Sequence, residues 1–257
     1  MAGRTIMIEG YKVYYESTGD GLPVVFIHGA CEDHSIWNQQ VKHLSQLCKT
    51  VVLDLPGHGK SDPLREASID SYSRFLSSFL EAVGIEKAVI VGHSMGGAIA
   101  LKFCLNQPAK VLALILVDTG AKLGVHPVFM EAIRKDHVRA LKQFVSKYGV
   151  SKSTSEQTLK TILSLMCSTS GQTAIADFEA CDSFDVRDQI SDIRVPTLII
   201  VGEDDSMTPL KWSEFMKEKI KGSKIRIIPE SSHFPMIENP QELNRAIEEF
   251  IREILQA

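Results

Sequence analysis

The chain has 257 residues, of which 44% are hydrophobic and 23% charged, and its formal net charge is -4. That is a soluble, globular composition with room for one large domain or one domain carrying an insertion. It leaves out a basic footprint for nucleic acid, a polybasic run for a membrane surface, an apolar stretch of membrane-spanning length, and a signal-peptide h-region in MAGRTIMIEG. The five cysteines, Cys31, Cys48, Cys104, Cys167 and Cys181, are odd in number and scattered, with no C-x-x-C. They read as buried small hydrophobes in a reducing, cytoplasmic setting.

Residues 4–8 and 11–17 alternate in polarity and predict two strands of an edge hairpin. Pro23 to Ile27 is continuously apolar and predicts a central strand, with His28-Gly29-Ala30 directly after it. A helix is expected over 36–47, with Trp37, Val41 and Leu44 on one face, then a buried strand over 50–53. Ile69, Tyr72, Phe75, Leu76, Phe79, Leu80 and Val83 recur at helical spacing, with Ser68 or Asp70 as the cap and Gly84 as the stop.

Ala88 to Val91 is a short apolar run that stops at Gly92-His93-Ser94-Met95-Gly96-Gly97 and gives way to small helix formers. This is the pattern of a buried strand, a sharp turn and a helix. A serine lifted onto such a turn sits in strained geometry, so the residues two positions either side must lack bulk. Gly92 and Gly96 occupy those positions. The three-point Gly-x-Ser-x-Gly pattern alone occurs by chance in a chain of this size with a probability on the order of a tenth. The strand before it and the helix after it remove most chance matches.

Val111 to Val117 predicts another buried strand, and strands alternating with helices mean a parallel sheet covered on both faces. From 119 to 190 the rhythm changes. Helices are expected over 129–144 and 155–166, broken by Gly124, Pro127, Gly149 and Gly171. We read 119–190 as a helical cap inserted in a core formed by 1–118 and 191–257, over the sheet edge where α/β proteins bind ligands. The β/α pattern resumes at 195–201, followed by a helix after Pro209, a strand at 224–228, and a last helix with Asn239 as N-cap and Pro240 first.

A serine hydroxyl needs a base in hydrogen-bond reach, and that base needs an acid to fix its tautomer. The strand over 195–201 runs into Gly202-Glu203-Asp204-Asp205, and the one over 224–228 into Ser231-Ser232-His233. Both deliver polar residues past a strand's C-terminal end, in the chain order Ser, Asp, His that this topology requires.

On these residues the chain resembles α/β-hydrolase fold enzymes of the cofactor-free esterase, lactonase and haloperoxidase-like group. The resemblance rests on His28-Gly29, Asp54-x-Pro56-Gly57-x-Gly59-x-Ser61, Gly92-x-Ser94-x-Gly96-Gly97, Gly202-x-x-Asp205-x-x-x-Pro209 and His233. It covers nearly everything outside the insertion. It implies a mostly parallel eight-stranded sheet, Ser94 as nucleophile, His233 as base, Asp205 as acid, and the amides of Ala30 and Met95 as oxyanion donors. Asp204 competes with Asp205, and the family spacing favours Asp205.

The implied activity is hydrolysis of a small carboxylic ester or lactone, without cofactor or metal. Thr119 to Gly124 is similar to 3-oxoadipate enol-lactonases. An elbow aspartate, as in haloalkane dehalogenases and epoxide hydrolases of this fold, is excluded by Ser94. Phe234-Pro235-Met236 after His233 lacks the lysine of the hydroxynitrile lyases. Carbon–carbon hydrolysis, perhydrolysis and a ligand receptor without turnover stay open as alternatives. Gly59-Lys60-Ser61 lacks the upstream glycine of a phosphate loop, and the eight histidines show no metal-ligand spacing. Phe129, Phe144, Met166, Phe178 and Phe184 either line an acyl pocket or form the insertion's own core. Arg134, Lys135 and Arg139 are either anchors for an anionic substrate or a solvated face. His28 is expected to shape the oxyanion loop, His93 to pack beneath the turn, and Cys31 to be inert packing.

Overall fold

The computed structural model describes residues 3–256. Eight strands form one sheet: β1 (Gly3–Ile8), β2 (Tyr11–Thr18), β3 (Pro23–Ile27), β4 (Lys49–Leu53), β5 (Ala88–His93), β6 (Val111–Val117), β7 (Thr197–Gly202) and β8 (Lys224–Ile228). Their spatial order is β1-β2-β4-β3-β5-β6-β7-β8. The β1–β2 hairpin and the β2–β4 pair are antiparallel, and every other pairing is parallel. The apolar runs fall where burial demands them. Every residue of β5 and β7 is buried, whereas the edge strand β8 exposes Lys224, Arg226 and Ile227.

Helices α1 (Asn38–Leu44), α2 (Ile69–Ala82) and α3 (Met95–Asn106) precede β6. Ser68 caps α2 by accepting from the Ser71 N–H, and Ser71 Oγ accepts from the Ser68 N–H in return. Helices α4 (Pro127–Lys135), α5 (His137–Phe144), α6 (Glu156–Met166) and α7 (Gly171–Ser183) all lie between β6 and β7. An isolated bridge joins Lys122 to Asp185 near the two ends of this segment. The chain closes with α8 (Leu210–Lys219), α9 (Pro235–Glu238) and α10 (Pro240–Gln256). No described helix is long and apolar enough to cross a membrane.

Several boundaries differ from the sequence reading, each for a local reason; Pro127, read as a breaker, is the first residue of α4, where its missing N–H costs no helix bond. The helix expected over 36–47 is a 3-10 turn at His34–Trp37 running into the shorter α1. Asp33 accepts from the Ser35 N–H and so starts that turn early. The stretch 129–144 is two helices, because Asp136 leaves helical geometry and caps α5 through the Arg139 N–H. Gly171, read as a breaker, is the first residue of α7, since Ser170 Oγ accepts from the Thr173 N–H. Finally, β7 starts at Thr197 and not at Val195, because Pro196 has no N–H to give the ladder.

The parallel strands share one C-terminal edge. The loops after β3, β5, β6, β7 and β8 therefore emerge together, and the polar residues at their starts meet there.

Candidate active site

The turn after β5 carries Ser94 at φ +50° and ψ −115°. A non-glycine residue in that region costs on the order of 1–3 kcal/mol and persists only where its surroundings over-determine it. Here they do. The Ser94 N–H donates to the Val117 carbonyl at 3.0 Å, and the Ser94 carbonyl accepts from Thr119 Oγ1 at 2.7 Å and the Gly97 N–H at 2.9 Å. A Cβ on Gly92 would collide with the Gly96 carbonyl, and one on Gly96 with the carbonyls of Ile27 and His28. Gly96→Ala should therefore destabilise the fold by about 1–3 kcal/mol and lower any activity that depends on this turn. A denaturant titration beside an assay checks this, and an unaltered midpoint would count against the strained turn.

The loop after β3 supplies the opposite wall. His28 donates from Nδ1 to the Gly29 carbonyl at 2.8 Å and accepts at Nε2 from the Leu55 N–H at 3.0 Å. Burial, reinforced by the neighbouring His58, depresses its pKa to about 4, so it is neutral. The Gly29 N–H donates to Glu32 at 2.7 Å, and the Cys31 N–H donates to Asp177 at 2.8 Å. Between them, the Ala30 N–H has no acceptor among the described residues, and neither has the Met95 N–H. Cys31 is buried, and burial pushes its thiol well above the usual range, which keeps it unreactive.

The loops after β7 and β8 bring Asp205 to His233, with Oδ2 3.0 Å from Nδ1. Asp205 also accepts from the Met207 and Thr208 N–H groups at 2.8 and 3.0 Å and from the Thr208 hydroxyl at 2.6 Å. Burial opposes its ionisation, but His233 and these donors outweigh it and hold the carboxyl well below the usual range. Burial likewise opposes a charge on His233, yet the Asp205 carboxylate overcomes it and raises the imidazole pKa, with Glu32 and Glu238 adding to it. Asp204 points elsewhere, its exposed carboxylate accepting from Ser151 Oγ at 2.5 Å.

Ser94 Oγ and His233 Nε2 make no hydrogen bond to each other or to another described residue. The residue before Ser94 is what reaches the His233 loop. His93, one residue before Ser94, has its ring centroid 4.8 Å from that of His233 and donates from Nε2 to the His233 carbonyl at 2.8 Å. Its Nδ1 lies 3.0 Å from Glu32, so one imidazole joins the Ser94 turn, the loop after β3 and the His233 loop. Catalytic hydrogen bonds are often open until substrate tightens them.

The sequence reading missed two residues at this edge. Asp118, at the end of β6, is fully buried and accepts from the Gly202 N–H at 2.7 Å through Oδ1, while its Oδ2 has no partner. Burial, and then the Asp205 charge, push its pKa well above the usual carboxylate range. Glu32 is the second, its carboxyl pKa lowered against the opposing effect of burial by His93 and by the Gly29 N–H. The one available signal was a carboxylate directly after a wholly apolar run, at Val117-Asp118. Among the described residues, Asp118, Asp205 and His233 bring ligand-type atoms within 4.8 Å of one another, as do Asp33, His34 and Asp54. In each group the imidazole already hydrogen-bonds a carboxylate.

In the insertion, Phe129 stacks on Phe144 at 4.3 Å and meets Phe178 edge-on at 4.9 Å, and Met166 and Phe184 are buried in the same apolar body. Arg134 pairs with Glu179 at 2.7 Å, and Arg134, Lys135 and Arg139 are all exposed.

A mostly parallel, eight-stranded α/β sheet with a strained serine turn and a buried Asp–His pair at one edge defines a class of protein with an enzyme-like site. A family model described as alpha/beta hydrolase fold matches residues 23–240, and the chain belongs to that family. It is similar to 3-oxoadipate enol-lactonase 1 of Acinetobacter baylyi, with 29% identity over 240 residues, 90% of this chain and 89% of the relative. Among solved structures it is similar to an esterase from Exiguobacterium antarcticum, with a TM-score of 0.91, 25% identity, and coverage of 98% of this chain and 100% of the other. It is also similar to a protein called Est816 and described as an N-acyl homoserine lactone degrading enzyme, with a TM-score of 0.86, 28% identity, and coverage of 96% of this chain and 100% of the other. Family membership and these relatives support hydrolase activity of the esterase and lactonase kind at family level.

Proposed function

We propose that this protein is a serine hydrolase that cleaves a carboxylic ester or lactone of a small molecule through an acyl-enzyme on Ser94. The observation that carries the reading is a convergence at one sheet edge. A strained serine, two unengaged N–H groups at Ala30 and Met95, and a buried Asp205–His233 pair emerge from the loops after β3, β5, β7 and β8.

The chemistry follows from those groups. His233 Nε2 takes the Ser94 proton as Oγ attacks the carbonyl carbon, and Asp205 stabilises the imidazolium that forms. The carbonyl oxygen gains its negative charge between the Ala30 and Met95 N–H groups, where each donor is worth about 2.7–4 kcal/mol. His233 then gives its proton to the leaving alkoxide, which departs as the alcohol. A water molecule, deprotonated by the same imidazole, releases the acid and restores Ser94. In this reading the segment 119–190 acts as a cap, with Phe129, Phe144 and Phe178 as its aromatic body.

A panel of esters, lactones and thioesters graded by acyl length and charge tests the proposal, together with a serine-directed phosphonate. Multiple turnover on at least one short ester or lactone and a single phosphonate adduct on Ser94 are expected. Tight binding of one ligand with negligible turnover of the whole panel would replace the enzyme with a receptor.

A further inference from the structure

We infer that the insertion between β6 and β7 builds half of the oxyanion loop's geometry, with Asp177 and Thr169 acting as positioning residues for the Ala30 N–H. The inference rests on the serine-hydrolase reading above and goes beyond it, because it assigns to the insertion a role in the chemical step.

Cys31 follows the Ala30 donor and has φ +60°, a conformation that needs external support. Both of its backbone polar groups are held by the insertion. Its N–H donates to Asp177 Oδ2 at 2.8 Å, and its carbonyl accepts from Thr169 Oγ1 at 3.0 Å. Asp177 lies on α7 and Thr169 just before it. On the other side of Ala30, the Gly29 N–H donates to Glu32 at 2.7 Å. Three successive N–H groups thus form a pattern: Gly29 pinned by a carboxylate of the core, Ala30 unengaged, Cys31 pinned by a carboxylate of the insertion. Fixing the two outer peptides fixes the direction of the middle one.

Two negative charges beside a developing oxyanion would work against catalysis if they were bare. Each is instead paired. Glu32 lies 3.0 Å from His93, and Asp177 Oδ2 accepts from His58 Nε2 at 2.8 Å, with both members of that second pair fully buried. Burial opposes a charge on His58, but Asp177 overcomes it and raises the imidazole pKa. Asp177 Oδ1 also accepts from the Tyr72 hydroxyl at 3.3 Å. A carboxylate this well satisfied is a rigid anchor, which suits a positioning role.

The insertion offers its own matched control. Thr169 Oγ1 donates to the Cys31 carbonyl, and Thr173 Oγ1 donates to the Gly57 carbonyl at 3.1 Å. Both are threonine hydroxyls crossing from the insertion to a backbone carbonyl of the core, and one of them lands on the oxyanion loop. The experiment compares Thr169→Val, Thr173→Val and Asp177→Asn in the full chain. It measures kcat and KM on the best ester of the panel, and the inhibition constant of a trifluoromethyl ketone, whose Ser94 adduct carries an oxyanion.

Misplacing a donor by about 1 Å costs on the order of 100-fold. The expected kcat losses are about 3- to 10-fold for Thr169→Val and about 10- to 100-fold for Asp177→Asn, with KM little changed. The ketone's inhibition constant should rise by the same factors, and Thr173→Val should stay within about twofold in both readouts. Equal effects from the two threonine variants, or kcat losses that the ketone does not follow, would overturn the inference. If Asp177→Asn does not fold, the threonine pair still decides it. A wild-type protein that turns over nothing and takes no phosphonate overturns the hydrolase reading itself, and this inference with it.

Discussion

Ser94→Ala should lower kcat on a chromogenic short-chain ester by about 10⁴- to 10⁶-fold. The size of the loss follows from the covalent step. With Oγ gone, His233 has no proton to take, and the two N–H groups at Ala30 and Met95 can polarise a carbonyl that nothing on the protein attacks. Some binding should survive, because the amides are backbone groups and alanine fits where serine did. Loss of turnover with ester affinity retained is therefore the expected signature. The thermal midpoint should change little, since Ser94 Oγ makes no hydrogen bond to a described residue. Full activity in this variant would end the acyl-enzyme proposal.

Asp205→Asn carries the second large effect, a fall in kcat of about 10⁴-fold. An amide at 205 can present its N–H₂ to His233 Nδ1 and so select the wrong tautomer, and it cannot stabilise the imidazolium. The exposed Asp204, bonded to Ser151, should tolerate asparagine with a change of about threefold or less. The reverse ranking would reassign the acid.

The two variants also separate in pH dependence. His233 must be neutral to accept a proton, and the Asp205 carboxylate raises its pKa against the opposing effect of burial. The acid limb of kcat/KM in the wild type should accordingly lie above the ordinary imidazole value of about 6.5. In Asp205→Asn that limb should move to lower pH. Stability follows the linkage in two windows. The raised His233 contributes stability that is complete below about pH 6.5 and is lost as pH rises through its folded pKa. The depressed Asp205 contributes stability that is present above about pH 3.9 and is lost as pH falls. A kcat/KM profile that does not shift in Asp205→Asn would show that this carboxylate does not set the base strength of His233.

Much of the fold was legible from residues 23–27, 88–97, 111–117 and 195–201, because a strand buried on both faces must be apolar throughout and a sharp turn must hold glycine. Gly171 and Asp136 show where such reading stops. Each looks like part of a continuous local pattern, and each is decided by a single side-chain hydrogen bond, Ser170 to Thr173 or Asp136 to Arg139. The aromatic residues at 129, 144 and 178 were ambiguous for a related reason. Helical spacing states that a face is apolar, not what it faces, and the structure packs these three rings on one another.

The places of the strands along the chain, the sharp turn at Ser94, and the presence of Asp205 and His233 just past strand ends were decided by the sequence, since local sterics and burial periodicity act over a few residues. Which polar groups meet was decided by the tertiary structure alone. Asp177 reaches Cys31 across 146 positions of chain, and Asp118 lies beside Asp205. A buried charge or N–H must find a partner wherever the packed loops offer one, and that choice is made in space, after the sheet has brought its C-terminal loops to a common edge.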